Sequence, residues 1–88
     1  MNEVWLAVEV WTDVSSLEDS AGIEVLAFSR RVGAATQLRT WAEAFCSGTY
    51  DPASNARHLV YEINRLPDCG RVMFGAGHHV FLKRLEVA

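Results

Sequence analysis

The strictest constraint on this chain is an alternation near its start. From Val4 to Trp11 every residue falls into one of two interleaved sets: Val4, Leu6, Val8 and Val10, or Trp5, Ala7, Glu9 and Trp11. Successive side chains of a strand point to opposite faces, so a period of two rich in β-branched and aromatic residues predicts a β-strand. Residues 23–31 repeat the pattern, with Ile23, Val25 and Ala27 against Glu24, Leu26, Phe28 and Arg30. Consecutive strands usually pair antiparallel. The stretch between them, 12–22, reads as a polar loop carrying Asp13, Glu18 and Asp19, long for a hairpin and therefore mobile or functional.

At Gly33 the second strand is expected to end, and the period changes. Leu38, Trp41, Ala42 and Phe45 fall at i, i+3, i+4 and i+7, one stripe of a helix, with Thr36 as its N-cap and Gly48 as its stop. Asp51-Pro52 is a second helix start, a capping carboxylate followed by proline at the first helical position. Ala56, Leu59, Val60 and Ile63 repeat the stripe, and Pro67 follows the end. Arg71–Phe74 and His79–Val87 are strand-like around Gly75-Ala76-Gly77, which predicts a hairpin with a bulge or a left-handed glycine. The order is ββααββ. The expected class is α+β: one domain, 1–88, with a four-stranded, mainly antiparallel sheet, two helices on one face, and the first and last strands adjacent at the centre.

Composition bounds what such a domain does. The chain is 50% hydrophobic with a net charge of −3, which excludes a disordered acidic tail and a polybasic nucleic-acid or membrane binder. No apolar run approaches the ~20 residues that span a bilayer. Met1-Asn2-Glu3 starts no signal peptide. Two cysteines, Cys46 and Cys69, are too few for a disulfide framework, so a cytoplasmic location with reduced thiols is expected.

Two short helices cover one face of a four-stranded sheet. The Val4/Leu6/Val8/Val10 face is the natural choice for burial. The opposite face then shows Trp5 and Trp11, with Leu26 and Phe28 beside them, and a small monomer does not leave a large apolar patch in water. Trp in particular anchors protein interfaces. The alternative is a curled sheet whose Trp5 and Trp11 are covered by the acidic loop or by arginine stems. Glu9, between the two tryptophans, reads equally as a specificity charge in an interface or as a residue that keeps the face soluble.

No motif specifies a reaction. Cys46, Cys69, His78 and His79 lack zinc-site spacing, and adjacent histidines on a strand point apart. Cys46 ends a helix, where the dipole disfavours a thiolate, and Cys69 lies in a turn. Gly75-Ala76-Gly77 opens no helix, so it lacks the context that cradles phosphate. We expect no catalytic residue, no metal and no cofactor. Aromatics on an open sheet face also suit single-stranded RNA, with Arg30, Arg31, Arg71 and Arg84 as a local cluster. The strand order and the net charge favour that reading less.

The hairpin Val4–Val10 with Ile23–Arg31, followed by the helix Gln37–Phe45, resembles the small inhibitors encoded by phages and mobile elements, those of the anti-CRISPR type. The likeness is architectural and covers about half of the chain. It implies binding to a host defence complex, with Asp13, Glu18, Asp19 and Glu24 replacing phosphate contacts on an Arg/Lys surface. The expected function is a non-enzymatic protein-interaction domain, with partner contacts at Trp5, Glu9, Trp11, Asp13, Glu18, Asp19, Glu24 and Phe28. The alternatives are a homodimeric structural or regulatory module, and a small metal- or thiol-dependent enzyme.

Overall fold

A computed structural model of the chain describes residues 2–13 and 20–87. Its elements are β1 (Asn2–Asp13), β2 (Ser20–Phe28), α1 (Arg31–Cys46), α2 (Pro52–Asn64), β3 (Cys69–Gly75) and β4 (His78–Val87). The four strands form one sheet in the order β2-β1-β4-β3, every pair antiparallel. The α+β class and the central pairing of first and last strands are as expected.

The boundaries differ from the sequence reading in three places, of which the smallest is β3: it starts at Cys69, paired with Lys83, so Cys69 is in the ladder and not in a turn. β1 and β2 run into the polar stretch, pairing Trp11, Thr12 and Asp13 with Gly22, Ala21 and Ser20. The backbone ladder forms whatever the side-chain polarity, and Gly22 leaves room for the Trp11 indole, with which a Cβ would collide. At the other end α1 starts at Arg31, not at Thr36. Arg30, extended at φ −135° and ψ 148°, is the cap and makes no side-chain capping bond. Thr36 is inside the helix, its hydroxyl donating to the Val32 carbonyl at 2.7 Å. Gly33 does not end a strand; it lies in the first turn of α1, where a Cβ would press on the Phe28 ring at 2.8 Å. The second helix starts as expected: the Asp51 carboxylate accepts from the Ser54 N–H and Pro52 opens the helix. The β3–β4 turn has both expected devices, a register shift between Met73 and Gly75 and a left-handed Gly77 at φ 74°.

The helices cover the Trp5 face, and this overturns the expectation that the Val4/Leu6/Val8/Val10 face is buried. Trp5 is 6% exposed and Ala7 0%. They pack with Leu38, Trp41 and Ala42 of α1, Leu59 and Ile63 of α2, Val72 and Phe74 of β3, and Val80 and Leu82 of β4. The reason lies in the register. Ala7 pairs with Leu82 and Leu6 with Lys83; Arg71 pairs with Phe81 and Val72 with Val80. The Val4–Val10 face is therefore the face of Lys83 and Arg71, and burying those charges beneath the helices would strip their hydration without a partner. The other face offers Val72, Phe74, Val80 and Leu82, together with the larger aromatic area of Trp5. The thinnest Cα extent is 15 Å, the depth of one sheet and one helix layer.

Candidate interaction surface

The residues expected to bind a partner are placed mostly on the helix side. Trp5 is core, with the Arg31 guanidinium 5.9 Å from its ring centre. Phe28 pairs with Trp5 and is half-buried against the core. Neither lies on an open face, which corrects their expected exposure. Trp11 is half-buried over Gly22. Glu24 is exposed on the same side and pairs directly with Glu9. Asp13 is placed by its backbone pairing with Ser20, and Glu18 and Asp19 lie outside the described residues.

Glu9 has a partner that spacing along the chain does not reveal. The His78 imidazole Nε2 lies 2.8 Å from its carboxylate, 69 residues away, with side-chain exposures of 22% and 13%. Two carboxylates facing each other across strands, Glu9 and Glu24, repel; the His78 N–H offsets this by donating to Glu9. His78 is held in turn by Phe45, edge-on at 4.9 Å between ring centres, and by Phe74 at 5.3 Å. Glu9 is thus a satisfied group at the end of the helix layer rather than a free charge on an interface.

The face left open is aliphatic. In rows across the sheet it carries Ile23, Val10, His79 and Met73; then Val25, Val8, Phe81 and Arg71; then Ala27, Leu6, Lys83 and Cys69; then Val4 and Leu85. Ile23 is 66% exposed, Val25 50%, Met73 56% and Leu85 40%. Val4, Leu6, Val8, Val10 and Phe81 are half-buried by their own neighbours in the sheet. The apolar part spans β2, β1 and β4. The cations Lys83 and Arg71 stand toward the β3 edge, and no carboxylate shares the face among the described residues. The sequence did carry a signal for this choice: Lys83 and Arg71 alternate with Leu82 and Val72.

The arginines do not gather into one patch. Arg31 and Arg84 both reach Asp68, at 3.6 Å each, and Arg84 also pairs with Glu3 and Glu86. Arg71 lies on the other side of the sheet. Among the described residues no group of three or more His, Cys, Asp or Glu is placed to hold a metal ion, and no helix is long and apolar enough to cross a membrane. A recess of about 260 Å³ between the end of α1 and the start of α2 is lined by Phe45, Cys46, Thr49, Asn55, His58 and Phe74. Burial pushes the Cys46 thiol above its ordinary range, which keeps it protonated and poorly nucleophilic. No protein-family model, curated protein or solved structure matches the chain.

Proposed function

We propose that this chain is a non-enzymatic protein-interaction domain that works through the open face of its sheet. One observation carries the reading: Ile23, Val25, Val10, Val8, Leu6, Phe81 and Leu85 form a continuous apolar surface on a domain whose helices cover the opposite side. Contiguous apolar patches of more than a few hundred Å² on small domains mark interaction sites. We place the domain in the cytoplasm, where its two unpaired thiols, Cys46 and Cys69, stay reduced. The resemblance to phage-encoded inhibitors makes a component of a host defence complex one class of partner for this face.

Photo-crosslinking in the native cell tests the reading. A benzophenone amino acid replaces Val25 on the open face or, as a control, Ala53, which is exposed on α2. The expected result is a discrete protein adduct from position 25 and none from position 53. Equal labelling from both positions, or none from position 25, would sink the proposal.

A further inference from the structure

We infer that the outer edge of β2 is a docking edge for an extended segment of another protein, added antiparallel as a fifth strand with a lysine or arginine opposite Glu24. This edge is distinct from the open face, and the inference stands without it.

The backbone defines the site. The Thr12 N–H donates to the Gly77 carbonyl at 2.8 Å, so the Thr12 amide points to the β4 side of β1. Residues along an antiparallel strand bond alternately to one side and the other, and β1 pairs with β2 in unbroken register. Trp11, Glu9, Ala7 and Trp5 therefore bond to β2, through Gly22, Glu24, Leu26 and Phe28. The N–H and C=O groups of Ala21, Ile23, Val25 and Ala27 are left pointing away from the sheet. All four residues are exposed. Among the described residues no hydrogen bond outside the sheet engages their backbone. Such a row is a template for another strand.

The opposite edge is blunted by comparison. β3 is seven residues long. A register shift between Met73 and Gly75 breaks its ladder, and Arg71 stands at its middle. β2 keeps nine consecutive pairs with β1. It has no Pro, Lys or Arg and carries a single charge, Glu24. Short, bulged and basic edges resist pairing, whereas long regular ones invite it.

Glu24 selects the occupant. In an antiparallel strand bonded to all four free residues, the position opposite Glu24 is a non-hydrogen-bonded pair, with Cα atoms about 4.5 Å apart and side chains at their closest. Glu24 already faces Glu9 across β1. Glu9 has His78, but Glu24 has no ion pair among the described residues. A second copy of β2, paired over all four free residues, would set Glu24 against Glu24. Sliding it to part the carboxylates gives up at least one of the four bonded pairs. An incoming cation instead keeps the whole ladder and offsets the repulsion between Glu9 and Glu24. The positions on either side of that cation fall on the open face beside Ile23 and Val25, which suits apolar residues.

The probes are two capped heptapeptides of alternating valine and threonine, one with arginine and one with glutamate at the centre. Amide exchange of the full chain, read by NMR, reports where they bind. In the free chain Ile23 and Val25 are expected to exchange fast, Glu24 and Leu26 slowly. The arginine peptide at millimolar concentration is expected to slow Ile23 and Val25 at least about threefold. It is expected to bind at least about fivefold tighter than the glutamate peptide, and Glu24→Lys is expected to reverse that order. Val25→Pro removes an N–H that β1 does not use and is expected to abolish binding while far-UV circular dichroism stays unchanged. Equal affinity for the two peptides, unaltered exchange at Ile23 and Val25, or full binding to Val25→Pro would overturn the inference. Slow exchange at Ile23 and Val25 in a free chain of twice the 9.8 kDa mass would also overturn it, by placing a second copy on the edge. Glu24 lies on the helix side, so peptide contact with the open face alone would produce no preference between arginine and glutamate.

Discussion

Which face of the sheet the helices cover is testable by two substitutions with opposite consequences. Trp5 is 6% exposed between sheet and helices. Removing its indole gives up about 200 Å² of burial at about 25 cal/mol per Å², or ~5 kcal/mol as an upper figure. Aromatic-to-alanine changes in cores cost about 3–5 kcal/mol. A domain of this length is stable by roughly 4–13 kcal/mol, so Trp5→Ala takes a large share of the total. Val25 is 50% exposed on the open face. Val25→Thr keeps shape and strand preference, and within one protomer it costs less than about 1 kcal/mol. Urea unfolding followed by far-UV circular dichroism measures both, with unchanged slopes showing that the same two states are compared. At low protein concentration Trp5→Ala is expected to lower the midpoint sharply and Val25→Thr barely. Should Val25→Thr cost more than Trp5→Ala at the lowest concentration, the assignment of core and open face is wrong.

Three further outcomes follow from local geometry. Cys69 is exposed and Cys46 is 1% exposed, so a maleimide is expected to modify one thiol rapidly and the second only on unfolding; equal rates would mean the recess admits reagent to Cys46. Because burial raises the Cys46 thiol above its ordinary range, the unfolded chain ionises it first, so stability falls as pH rises through the ordinary thiol range, and Cys46→Ala removes that part of the slope. Gly22→Val drives a side chain into the Trp11 indole and is expected to cost about 1–3 kcal/mol. Trp11→Ala in the same chain recovers part of that loss, and strict additivity of the two changes would show that they do not touch.

The fold was legible because its signals are local. Alternation marked the strands, Asp51-Pro52 marked the start of α2, and Gly77 marked the last turn. The start of α1 was hidden because its first turns bury Ala34 and Ala35, residues too small to draw an apolar stripe, and because Arg30 caps it without a side-chain bond. The covered face was hidden for a different reason. β1 alone points the wrong way, because its Val4/Leu6/Val8/Val10 face is all aliphatic while the covered face carries Glu9. The preference is written on β3 and β4, where Lys83 and Arg71 alternate with Leu82 and Val72, and it reaches β1 only through a cross-strand register that pattern cannot supply. The Glu9–His78 contact depends on the same register.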